Sequence, residues 1–70
     1  MQVGAFSHVA PCAALGGEAR VGRGVLVGAG VSLLPGVRIC DGVTLGAGAV
    51  VRDEIVEPGV YAGVPARRVR

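Results

Sequence analysis

Aliphatic side chains recur at every sixth position of this chain without interruption: Val3, Val9, Leu15, Val21, Val27, Leu33, Ile39, Leu45 and Val51. A 3.6-residue helical period does not fit that spacing. With each of these residues taken as position 1 of a hexad, position 5 is small or β-branched throughout: Ser7, Ala13, Ala19, Val25, Val31, Val37, Val43, Ala49 and Ile55. Positions 5 and 1 lie two residues apart, so both face inward from one short strand. Position 4 carries Gly24, Gly30, Gly36, Gly42 and Gly48 in five successive hexads. Glycine there suits a backbone of positive φ, and Pro35 before Gly36 matches the central pair of a type II turn. Each hexad therefore predicts one strand and one corner.

Three such sides close a triangular coil of about 18 residues, with coils stacked about 4.8 Å apart. The expected coils are residues 3–20, 21–38 and 39–56, followed by a closing segment over 57–70. The fold class is all-β, a parallel β-helix of three coils. Its inner columns should be Val3, Val21, Ile39; Val9, Val27, Leu45; and Leu15, Leu33, Val51. The same rule stacks Arg23 over Asp41, an expected surface ion pair worth about 0 to 1 kcal/mol. The first coil has nothing before it in this sequence, so its strand edges should fray first.

Composition bears on what such a prism needs. Seventy residues, with one Phe, one Tyr and no Trp, leave small aliphatics to build the core. A domain of this size struggles to bury enough surface alone. Leu26, Leu34, Val50 and Val56 fall at outward positions and ask for a partner, such as further prisms packed side by side. The longest uncharged apolar stretch, Gly24 to Val37, is shorter than the roughly 20 residues of a membrane span. No leader is visible after Met1, so the expected location is cytoplasmic, with no membrane partner. A formal net charge of +2 is too small to mark a nucleic-acid binder. Cys12 and Cys40 fall at different hexad positions and are read as free, reduced thiols.

The hexads of residues 3 to 56 resemble the hexapeptide-transferase motif, whose members coil left-handed; the residues alone do not give the hand, since parallel crossovers are usually right-handed. The segment Phe6-Ser7-His8-Val9-Ala10-Pro11, followed by Leu15-Gly16-Gly17, is similar to bacterial sugar acetyltransferases of the sialic-acid O-acetyltransferase and amino-sugar N-acetyltransferase type. That resemblance implies a homotrimer of such prisms, acetyl-CoA as acyl donor and a sugar or nucleotide-sugar acceptor. It also implies that His8 contacts the donor and that Ala29 and Ala47, one and two coils further along, line the same groove. Gly28 and Gly46 precede those alanines and would let an extended pantetheine arm approach the backbone. As plain corner residues, Ala29 and Ala47 would be stacked in any case. Glu57 to Arg68 resembles the family's closing segment, with Val64 where Asn is common and Pro65, Ala66 and Arg67 in pattern. Arg67 or Arg68 is then the expected contact for the phosphates of coenzyme A, against a solvated basic tail.

The subfamily's catalytic base is a second histidine that precedes the matching segment, about one coil side earlier. Met1 lies about two residues after that position, so the chain reads as the C-terminal part of such an enzyme. No catalytic residue is assigned; His8, the only imidazole, is the one available stand-in base. One histidine does not supply the ligand set of the metal-dependent carbonic anhydrases of this fold, so no metal is expected. Two functions follow: an acetyl-CoA-dependent acyltransferase domain, or a non-catalytic trimeric scaffold in which the coil survives for packing alone.

Overall fold

The computed structural model describes residues 2–70. Its hexads close as predicted at the corners. The position 5 N–H reaches back to the position 2 carbonyl, as in Ala19 N to Gly16 O (3.1 Å), Val37 N to Leu34 O (3.2 Å) and Ala49 N to Gly46 O (3.2 Å). The residue at position 4 has positive φ in all eight hexads of residues 3–50, from 61° at Phe6 and Glu18 to 79° at Gly36, as a type II turn requires at its third residue. In the first coil that conformation is held by Phe6 (φ 61°), Cys12 (66°) and Glu18 (61°), which glycine would adopt without steric cost. Corners also bond to each other between coils: Gly24 N to Ala5 O is 3.0 Å, and Gly42 N to Arg23 O and Gly48 N to Ala29 O are both 2.9 Å.

Between corners run the strands: β1 (Gln2–Val3), β2 (His8–Val9), β3 (Ala14–Leu15), β4 (Arg20–Val21), β5 (Leu26–Val27), β6 (Ser32–Leu33), β7 (Arg38–Ile39), β8 (Val43–Leu45), β9 (Val50–Val51), β10 (Gly59–Ala62) and β11 (Arg67–Arg68). They form three sheets, ordered β1-β4-β7, β2-β5-β8-β10-β11 and β3-β6-β9, here called the first, second and third sides. Pairing is parallel among β1 to β9 and joins residues 18 apart, as in Val3 to Val21, Val9 to Val27 and Leu15 to Leu33. The result is the expected all-β parallel β-helix of three coils. Among the described residues no helix is long and apolar enough to cross a membrane.

The core is the two inner columns of each side. Val21, Val27, Leu33, Ile39, Leu45 and Val51 from position 1 are buried, together with Ala19, Val25, Val31, Val37, Val43 and Ala49 from position 5. Past Val51 the period tightens. Ile55, expected at position 5, instead stands over Ile39, 16 residues away, and β10 pairs with β8 at the same offset (Tyr61 to Leu45). Arg52, Asp53 and Glu54 turn the last corner in two residues fewer, which keeps Ile55 buried on the first side. β11 folds back antiparallel on β10, and Gly63 O and Ala66 N bond Val50 N (3.1 Å) and Val50 O (2.8 Å), covering the open edge of β9. Val50 is consequently half-buried rather than exposed.

One expected contact takes a different form. Arg23 and Asp41 do stack, but the Asp41 carboxylate accepts from the Arg23 backbone N–H (2.7 Å) instead of pairing with the guanidinium. A short carboxylate at a corner reaches the neighbouring coil's amide more readily than it reaches the end of a long, solvated arginine. Among the described residues the one salt bridge is Arg68 Nη1 to Glu57 Oε2 (3.0 Å).

Candidate coenzyme-binding face

Outward positions on the second side form two columns parallel to the helix axis. The register runs His8 to Leu26 to Thr44 to Val60 in one. The other carries Ala10, Gly28 and Gly46 and continues to Ala62, which follows Tyr61 over Leu45. Ala62 is in turn paired with Arg67 across the antiparallel β10–β11 ladder, and residues directly opposite in a ladder share a face. A track of glycine and alanine therefore starts beside His8 and ends at Arg67, four strand spacings or about 19 Å away. Ala29 and Ala47 border this track. Both are exposed at the corner where the second side turns into the third, stacked one coil apart. The four residues expected at the site thus share one face and its edge.

Gly28 has a structural reason to be glycine before any ligand is considered. A Cβ there would come within 2.7 Å of Leu45 O and 2.9 Å of Ala47 N in the next coil. Gly46 is less constrained, its nearest approach being 3.3 Å to the Ala62 Cβ. The smoothness of the track follows from coil stacking, and a ligand would profit from a surface the fold already requires.

His8 is exposed, and its strand is held tightly. His8 N donates to Val25 O (2.9 Å). Beside it, Ser7 points inward and its hydroxyl donates to Gly22 O (2.6 Å) while accepting from Val25 N (3.0 Å). The hydroxyl thus takes the place of the direct turn bond between position 5 and position 2 in the second coil. Sequence reading saw Ser7 only as a small inward residue; the polar member of an otherwise aliphatic column was the available signal. On the other side of Ser7, Phe6 is 86% exposed at the corner that opens the second side.

The two closing arginines differ. Arg68 is tied to Glu57 and donates from Nε to Arg70 O (3.0 Å), whereas Arg67 is exposed and makes no salt bridge among the described residues. Arg67 is the one available to an anion on this face. Cys40, on the first side, is half-buried; burial pushes its thiol above the ordinary range.

Surface hollows lie away from this face. One of about 300 Å³ sits between the last corner and the closing segment, lined by Val51, Ile55, Tyr61 and Ala66 among others. A second, of about 350 Å³, lies on the first side.

A family model, bacterial transferase hexapeptide (six repeats), matches residues 18–53, just over half of the chain. Among solved structures, the acetyltransferase domain of PglB from Neisseria gonorrhoeae FA1090 superposes with a TM-score of 0.92 at 35% identity over 97% of this chain. The chain belongs to the hexapeptide-repeat bacterial transferases. The left-handed coiling implied by the sequence resemblance comes with that membership. The same PglB domain, with the same scores, has been solved in complex with acetyl coenzyme A. A maltose O-acetyltransferase from Clostridium difficile 630 matches with a TM-score of 0.71 and 38% identity over 74% of this hexapeptide chain. This chain spans 34% of the PglB domain structures and 28% of the maltose O-acetyltransferase. No curated protein sequence matches it.

Proposed function

We propose that this chain forms the donor-binding part of an acetyl-CoA-dependent acetyltransferase, with the donor laid along the second side from Arg67 to His8. The observation that carries this reading is the Ala10-Gly28-Gly46-Ala62 track. It is smooth enough for an extended arm, bordered by Ala29 and Ala47, cationic at the Arg67 end and imidazole-bearing at the other. Arg67 binds phosphate by charge-assisted hydrogen bonds. His8 donates a ring N–H toward the thioester carbonyl, which holds that carbon for attack and favours the charge that develops on its oxygen. The acceptor is a hydroxyl or amine of a sugar or nucleotide-sugar. Its oxygen or nitrogen bonds to the carbonyl carbon, the carbon–sulfur bond breaks with its electron pair going to sulfur, and the acceptor's proton passes by way of a base to the departing thiolate, releasing coenzyme A as the free thiol. His8 is the only imidazole in the sequence and serves as donor contact; a role as that base is the variant of this reading that a pH–rate profile tests.

Three prisms side by side complete the unit. Leu26 (50% exposed), Leu34 (39%) and Val56 (69%) leave apolar surface on the flanks, and a homotrimer would bury it while walling the open second side into a groove.

Calorimetric titration with acetyl-CoA, together with mass by light scattering, tests the reading. The expected result is a trimer that binds acetyl-CoA, with Ala29→Phe and Ala47→Phe losing at least tenfold in affinity while remaining trimeric. A trimer indifferent to the ligand would establish the scaffold alternative, which the steric need for Gly28 already accommodates.

A further inference from the structure

The first side carries a different chemistry. Its outward column is Gln2, Arg20 and Arg38, in direct register. Like charges opposite one another on neighbouring strands repel. Neither guanidinium has a carboxylate at salt-bridge distance among the described residues, although Glu18 stands at the adjoining corner. Glu54, which precedes Ile55 over Ile39, follows Arg38 in that register, so a carboxylate borders the column there as well. These residues border a hollow of about 350 Å³ lined by Gln2, Glu18, Arg20, Gly36 and Arg38. Gly36 has no atom within 4 Å of the place a Cβ would take, so its corner stays open to solvent.

We propose that this hollow is an anion site for a phosphate or diphosphate group, separate from the face that carries His8. Two guanidinium forks held one strand spacing apart offer parallel N–H donors to phosphate oxygens, and the Gln2 side chain adds an amide donor at the end of the column. Bound phosphate relieves the repulsion between Arg20 and Arg38. Glu18 opposes binding and limits the site's affinity. The phosphate can be inorganic or part of a larger ligand, and the chemistry of recognition is the same for both.

The test is calorimetric titration of the 70-residue chain with inorganic pyrophosphate at low ionic strength, where exposed charges are least screened. Wild type binds; Arg20→Gln and Arg38→Gln each weaken binding about tenfold, and Glu18→Gln tightens it several-fold. Arg23→Gln, which removes the same charge from a corner outside the hollow, leaves affinity within twofold. No binding by wild type, or an equal loss in Arg23→Gln, overturns the proposal. Adding acetyl-CoA then distinguishes the sources: undisturbed pyrophosphate binding is expected of a separate anion, and displacement, which would make the donor's own phosphates the ligand, overturns the separation from the His8 face.

Discussion

The first coil and the two that follow it trace the same path with different residues. In the second and third coils, glycine fills every position 4 from Gly24 to Gly48, and the inner valines Val21 and Val27 are 5% and 2% exposed. In the first coil, Phe6, Cys12 and Glu18 hold the corners, and Val3 and Val9 are 39% and 37% exposed. The ladder hydrogen bonds are nonetheless of ordinary length, as at His8 N to Val25 O and Ala14 N to Val31 O (2.9 and 2.8 Å). Inner side chains and interstrand bonds therefore set the course of the chain, and the corners comply. Compliance costs roughly 1–2 kcal/mol for each residue forced into the left-handed region. The family match begins at Glu18, so the coil that departs from glycine corners is also the one that precedes it. His8, with the better part of the proposed chemistry, stands in this coil of strained corners.

The sharpest test compares one column at two depths. Leu33 is buried at the centre of the third side, and Leu15 stands beneath it in the first coil, half-exposed. Leu33→Ala should cost about 2–5 kcal/mol, and Leu15→Ala less than half as much, because a solvent-facing site leaves little cavity. Urea unfolding at a fixed protein concentration measures both. Equal costs would mean that the first coil is packed as well as the others.

Next in size is Ser7→Ala. The hydroxyl ties the first coil to the second through Gly22 O and Val25 N, and Val25 is fully buried. Its loss leaves a buried amide to find another partner, at a cost of about 1–3 kcal/mol. Amide exchange should localise the damage to the first coil, which is itself expected to exchange fastest, with Val25 N–H joining it. Uniformly faster exchange along the prism would contradict the idea of a separately weak coil.

Smaller still, and opposite in sign, is repair of the corners. Cys12→Gly and Glu18→Gly each remove a strained φ but add freedom to the unfolded chain, so the net gain is about 0.5–1 kcal/mol. The same logic makes Gly24→Ala, where open space surrounds the missing Cβ, a loss of about 1–2 kcal/mol through φ alone. If the two substitutions toward glycine are neutral, the corners of the first coil are relaxed and the comparison fails.

What could be read from the residues divides along physical lines. The inner columns were legible because an aliphatic every sixth residue has one sterically sensible arrangement, and Val3 to Val51 occupy it. The tightened last corner was not, because Arg52, Asp53 and Glu54 are polar and give no inner residue to mark where the two-residue shortening falls. Positive φ at Phe6, Cys12 and Glu18 was hidden because no glycine announces it. For the site, His8, Ala29, Ala47 and Arg67 were singled out through resemblance, but their sharing of one face depends on β11 folding back antiparallel over β10. No hexad rule covers that turn, since it lies beyond the last repeat.

The smallest expected effect separates the coils by reactivity. Cys12 is exposed at a corner of the first coil, and Cys40 is half-buried against the core of the third. A thiol must ionise before it attacks an alkylating agent, and burial raises the pKa of Cys40 by disfavouring the thiolate. At a pH near neutrality iodoacetamide should modify Cys12 first, with Cys40 lagging several-fold. Mass spectrometry of the time course reads both sites in one sample. Raising the pH should narrow the gap as the Cys40 thiolate becomes populated, whereas a gap set by access alone would persist. Addition of Leu33→Ala, which loosens the core without touching either cysteine, should speed Cys40 and leave Cys12 unchanged. A Cys40 that reacts as fast as Cys12 in the intact protein would place the third coil, like the first, among the parts that open easily.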